Sequence, residues 1–143
     1  MVLGTDDGSY TAGYAGGTTI SYVGTHNAYP VFKIKSSSGA AAQLRSLRNW
    51  TTGAIIYLAY DMLDGETIEI DFRPGHEKIN SSVYGNIPTL IRSNSDFGQF
   101  FLMSGNESGG YDNLITCFVQ TAGGDPSLVV ASLHWRNAYI SED

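Results

Sequence analysis

From Thr19 onward the chain is a succession of short β-branched and aromatic runs, each cut off by Gly, Asn, Asp, Ser or Pro before it reaches the length of a helix. The clearest of them lies in GETIEIDFRPGHEKI, residues 65–79. Ile68, Ile70 and Phe72 alternate there with Thr67, Glu69 and Asp71, so a strand turns the apolar trio to a core and the polar trio to the other face. Pro74 and Gly75 then supply a turn. The same reading predicts strands over 19–23, 29–36, 43–50, 54–62, 66–72, 76–80, 89–91, 99–103, 113–122 and 127–140. That many short strands fit two packed antiparallel sheets, an all-β sandwich.

One segment pulls the other way. GAAAQLRSLRNW, residues 39–50, is built from good helix formers, and its alanines and leucines fall at helical spacings. Pattern alone leaves helix and strand open. The TTG that follows Trp50, and the strand-like AIIYLAY beyond it, favour a hairpin and so a strand.

Residues 1–18 are rich in Gly, Ser, Thr, Asp and Tyr and poor in branched apolar residues, which reads as a flexible linker or arm preceding a domain over 19–143. An opening without core patterning is also expected of a piece of a longer protein. With 143 residues the chain is long enough to enclose its own core.

Charge narrows the partners. Eight Lys and Arg against fourteen Asp and Glu leave a formal net charge of -6, so a phosphate backbone would meet mostly like charge. Nucleic acid is therefore not expected as a partner. No apolar run approaches the roughly 20 residues of a membrane span, and the first residues carry no signal-peptide pattern. Membrane insertion is not expected either.

No cofactor or metal is expected. Cys117 sits in the alternating run NLITCFVQ and reads as a buried, inert thiol. His26, His76 and His134 are far apart in sequence, and none stands at ligand spacing from a Cys or Asp. TDDGSY begins like a calcium loop but lacks the downstream Glu, and GYAGG has no strand-to-helix context for a phosphate.

Two carboxylates invite a catalytic reading. Glu69 and Asp71, two apart on one strand face, have Cα atoms about 6.6 to 6.8 Å apart. That is near the roughly 6.5 to 9.5 Å between the carboxyl groups of an inverting glycosidase. Any acidic pair on a solvated strand face has this spacing, and a glycosidase also needs surroundings that drive the two pKa values apart. A solvated face is the better reading, with Asp71 free to pair with Arg73 or to cap a turn amide, and no enzyme activity is expected.

The aromatics are 12% of the chain, and flat rings are what a sandwich uses to stack on sugars. Trp135 alternates with Leu133 and Ala131 and is expected in the core. Trp50, beside a turn, and Tyr84, in SSVYGNIP, are the candidate ligand-binding residues on the surface.

Five stretches in order, HNAYPVFKI, LRNWTTGAIIYL, GETIEIDFRPG, SDFGQFFLMSGNES and LHWRNAYISED, resemble the C-terminal domain of distal tail proteins from long-tailed bacteriophages and prophages. The resemblance runs from about Thr19 to the C-terminus. WRNAY lacks a proline often found in that motif, and SGNESGGYDN is longer than the usual turn. What the resemblance implies is a jelly-roll β-sandwich, similar to galectins and carbohydrate-binding modules. It further implies a place in the virion tail, in a parent protein that assembles as a hexameric ring through a separate N-terminal domain. This domain is then an outward module docking other phage tail proteins, with Asp71, Arg73 and Trp135 in structural roles. The alternative is a carbohydrate-binding module that recognises a host cell-surface polysaccharide.

Overall fold

Among the described residues the chain pairs into ten strands: β1 (Gly8–Ala12), β2 (Gly17–Tyr22), β3 (Val31–Ser36), β4 (Ala42–Asn49), β5 (Ile55–Met62), β6 (Thr67–Asp71), β7 (Lys78–Ser81), β8 (Gly85–Asn86), β9 (Tyr111–Thr121) and β10 (Val129–Trp135). The computed structural model describes residues 8–12, 17–36, 42–91, 95–105, 111–121 and 129–138. One sheet has the order β1-β10-β3-β6-β7-β8 and the other β2-β9-β4-β5, with every pairing antiparallel. The chain changes sheet between β1 and β2, β2 and β3, β3 and β4, β5 and β6, β8 and β9, and β9 and β10. The first and last strands therefore meet, β1 on β10 and β2 on β9, as in a jelly roll, with the β7–β8 hairpin added at one edge.

The inward residues of both sheets form one core. Phe32, Ile34, Ile68, Ile70 and Leu133 come from the six-stranded sheet, and Leu44, Leu47, Ile56, Ile115 and Val119 from the four-stranded one, all with no exposed surface. Trp135 joins them, as does Cys117, whose thiol is pushed up to about 12 by burial.

Residues 43–49 are strand, and their helical look has a structural cause. β4 carries a bulge between Leu44 and Ser46, where its register shifts against both β5 and β9. Ala42 and Leu44 point inward before it, Leu47 and Asn49 after it. The three-residue step from Leu44 to Leu47, which resembles a helix, is an inward-facing parity switched by the bulge.

Two predicted strands are not strands. Residues 89–91 fall largely in a 3-10 turn at Pro88–Leu90, with Ile91 making a single bridge to Leu58. Residues 99–103 follow a second 3-10 turn, Phe97–Gln99, and touch a ladder only where Leu102 bridges Ala28. Their apolar side chains plug the sandwich instead: Leu90, Phe100 and Leu102 are buried, and Phe72 stacks on Phe100 at 4.7 Å between ring centroids. Alternating burial without a ladder looks like a strand in sequence, because the core constrains the side chains in the same way. Conversely, Gly8–Ala12, inside the stretch read as an arm, pair with β10 as an edge strand. Backbone hydrogen bonding at an edge needs no apolar anchors, so composition did not reveal it.

The NWTTG turn is built by one buried side chain. Asn49 Oδ1 accepts from the Thr51 amide at 2.9 Å and the Thr52 amide at 3.4 Å, while Gly53 adopts φ +83°. A left-handed residue there suits glycine because any Cβ would be strained. Asn49 Nδ2 donates to the Phe101 carbonyl at 2.8 Å, tying the turn to the plug.

Candidate functional site

Register sets the outer face of the six-stranded sheet. Ser132, Lys33, Glu69 and Asn80 stand side by side across β10, β3, β6 and β7, and His134, Val31, Asp71 and Lys78 form the next row. Glu69 lies between two ammonium groups, with Lys33 Nζ 3.3 Å from Oε2 and Lys78 Nζ 3.3 Å from Oε1.

Asp71 is not on a solvated face, as expected from the sequence; it is 1% exposed. Arg73 folds back over it. Arg73 Nε donates to Oδ1 at 2.9 Å, Nη2 to Oδ2 at 2.6 Å, and the Arg73 amide to Oδ1 at 3.0 Å. Burial by itself would raise the Asp71 carboxyl, but the Arg73 side-chain and backbone hydrogen bonds, with the charges of Arg73 and Lys78, outweigh it and hold the group below the usual carboxylate range. The pair that closes the β6 turn is thus a buried carboxylate under a guanidinium whose side chain stays 52% exposed.

Lys33 and Glu69 of the first row and His134 and Val31 of the second line an open groove of about 510 Å³. Val31 and His134 belong to its floor, and His134 Nε2 sits 2.9 Å from Ser132 Oγ. Its walls include Tyr29, Lys33, Glu69, Arg73 and Arg136. Tyr29 is held edge-on against Phe101, 5.7 Å between centroids. One end is fixed by Tyr22, buried in the core, whose hydroxyl donates to the His26 carbonyl at 2.6 Å and accepts from the Ala138 amide at 2.8 Å. That single hydroxyl joins the loop after β2 to the segment after β10.

The geometry at Asp71 does not suit the acid of a glycosidase pair. A glycosidase pair needs one carboxyl held protonated by its surroundings, whereas the surroundings of Asp71 act in the opposite sense and both its oxygens are occupied by Arg73. Among the described residues no group of three or more His, Cys, Asp or Glu is placed to hold a metal ion, and no helix is long and apolar enough to cross a membrane.

Trp50 and Tyr84 are both exposed, at 51% and 61%, but they lie on different elements. Trp50 follows β4 in the four-stranded sheet. Its indole donates from Nε1 to Thr116 Oγ1 at 2.9 Å, and the Arg48 guanidinium carbon lies 3.4 Å from its ring centroid. One face of the ring is therefore already covered by a cation, a contact that competes with sugar stacking. With Tyr57 and Phe118 it lines a shallower pocket of about 370 Å³. Tyr84 stands in the β7–β8 turn, its amide donating to Ser81 Oγ at 3.1 Å. The fold does not bring the two rings together.

Sequence reasoning missed Tyr29, Lys33, His134 and Arg136 as groove residues, since two segments about a hundred residues apart in the chain supply them. Alternation of His134 with Trp135 was the available signal, for it puts the histidine on the face away from the core. It also missed that Glu66, in the same GETIEID stretch, is fully buried. Its carboxylate accepts from the Leu63 amide at 2.8 Å, from the Tyr60 hydroxyl at 2.6 Å and from the Ser81 hydroxyl. Burial first, then the hydrogen bond and charge of Glu66, push the Tyr60 phenol up to about 12.

Comparison of the chain with known protein families, with curated proteins and with solved structures found no match.

Proposed function

We propose that this domain is a non-catalytic interaction module of a long-tailed phage or prophage tail, displayed at the tail end and docking tail-tip or host-recognition components. The observation that carries the reading is the strand order, a jelly roll of two antiparallel sheets, which is the fold that the five resembling stretches imply. Residues of those stretches have structural work in the fold: Asn49 builds the NWTTG turn, Asp71 pairs with Arg73 where the RPG turn begins, and Trp135 ends β10 against the core.

The test is imaging of particles in which the parent protein carries a label on this domain. Label at the tail tip supports the reading; particles that lack the protein, or carry it on the head or along the tube, overturn it.

A second reading, a carbohydrate-binding module for host cell-surface polysaccharide, is favoured by the groove over β3, β6 and β10. A volume of about 510 Å³ lies within the range of small-molecule sites, roughly 300 to 1,000 Å³. Tyr29, with the edge of Trp135, rather than Trp50 or Tyr84, then supplies the aromatic surface of the site.

A further inference from the structure

The charged side chains that line the groove on the six-stranded sheet are mostly cationic. The protein has a formal net charge of -6, yet the groove is lined by three cationic side chains, Lys33, Arg73 and Arg136, and one carboxylate, Glu69, with the Asp71 carboxylate paired to Arg73 beneath. Glu69 is shared between Lys33 and Lys78, so it does not cancel Lys33 alone. Arg73 is also held in place. Asp71, from beneath, fixes the Arg73 guanidinium through two hydrogen bonds while half of the side chain stays in solvent. A planar, oriented guanidinium at a rim is suited to a carboxylate or phosphate oxygen, and its ordering is already complete before a ligand arrives.

We infer that this groove binds an anionic saccharide, a sugar chain whose rings carry a carboxylate or phosphate group. The inference deepens the carbohydrate-binding reading and is independent of where the domain is carried.

Two observations favour a saccharide over an acidic peptide. The groove lies over β3, β6 and β10, which are interior strands whose backbone groups are committed to neighbours on both sides. An extended peptide gains affinity by pairing with an open strand edge, and there is none here for it to pair with. A sugar needs side-chain partners and a fixed apolar surface instead. Lys33, Glu69 and Arg73 supply the first, and Tyr29, held against Phe101, the second.

The experiment is a titration of the ¹⁵N-labelled 143-residue chain, followed by amide shifts, with trigalacturonic acid, its neutral trimethyl ester, a phosphorylated maltotriose and hexaglutamate. Saturable shifts at Val31, Lys33, Arg73 and Ala138 with the uronate or the phosphosugar support the site, and the tighter of the two identifies the anion. The ester should bind about tenfold or more weakly, because charge-assisted hydrogen bonds are lost. The double variant Lys33→Gln/Arg136→Gln should weaken the anionic sugar by a similar factor; should it fail to fold, the wild-type shift map decides alone. Equal binding of acid and ester overturns the anionic class and leaves carbohydrate binding standing. Hexaglutamate binding as tightly as the uronate overturns the saccharide class. Shifts confined to the Trp50 face, or no shifts with any probe, overturn the groove, and none of these outcomes bears on the tail location.

Discussion

Asn49 Nδ2 donates to Asn113 Oδ1 at 3.2 Å, and neither side chain has any exposed surface. Asn113 also accepts from the Met103 amide at 2.8 Å and donates to the Met103 carbonyl at 3.0 Å. Together the two amides fasten the β4–β5 turn and the plug segment to β9. Buried polar groups are tolerated only when satisfied, and each loss strands several partners at once.

Asn49→Ala should therefore destabilise the fold by about 2 to 4 kcal/mol, since it leaves the Thr51 amide, the Phe101 carbonyl and Asn113 short of partners. Urea unfolding of both single variants and the double variant measures the coupling, expected at about 0.5 to 3 kcal/mol. Strict additivity would show that the pair does not act as a unit.

Glu66, which is buried, and Tyr60, which is half-buried, form a second polar contact, at 2.6 Å. In the native protein the Tyr60 phenol should titrate near 12, and in Glu66→Gln it should move down without reaching 10, because burial, its largest cause, remains. Ultraviolet titration reads this directly. The sign for stability follows: the folded state holds the proton more tightly, so the Tyr60 contribution is complete below pH about 10 and is lost as pH rises toward 12. Glu66→Gln should flatten that loss.

Asp71 gives the opposite dependence. Its folded value is depressed, so its stabilisation is present above the unfolded value of about 3.9 and fades as pH falls through the lower folded one. Asp71→Asn should cost about 1 to 3 kcal/mol at neutral pH. Acid titration of the unfolding free energy should show a shallower slope below pH about 4 in the variant than in the native chain; equal slopes would show that folding does not depress the Asp71 carboxyl.

Gly24 is required by its neighbours rather than by its backbone angle. A Cβ there would meet the buried Tyr22 hydroxyl and lie 2.7 Å from the Ala138 carbonyl, in the same clasp that fixes the groove end. Gly24→Ala should cost about 1 to 3 kcal/mol of stability as the crowded core yields. Tyr22→Phe, which removes the hydroxyl and some of the overlap, should relieve part of that cost, and a thermal melt of the double variant checks it.

Alternation alone determined much of this protein. Ile68, Ile70 and Phe72 had to share a face, as did Ala131, Leu133 and Trp135, because a strand has a period of two whatever surrounds it. From that the two-sheet sandwich was legible. What the period could not supply was any fact that depends on a partner. The bulge at Leu44 and Ser46 switches the inward side of β4, a choice made by β5 and β9. Leu90, Phe100 and Leu102 bury themselves without a ladder, and Gly8–Ala12 join one although their composition reads as an arm. The groove belongs to the same category. Lys33, Glu69, Arg73 and His134 carry no local mark of a common site, and only the register of β10, β3 and β6 places them together. Local chemistry decides which residues can be strand; long-range pairing decides which strands are neighbours, and a binding surface is made of neighbours.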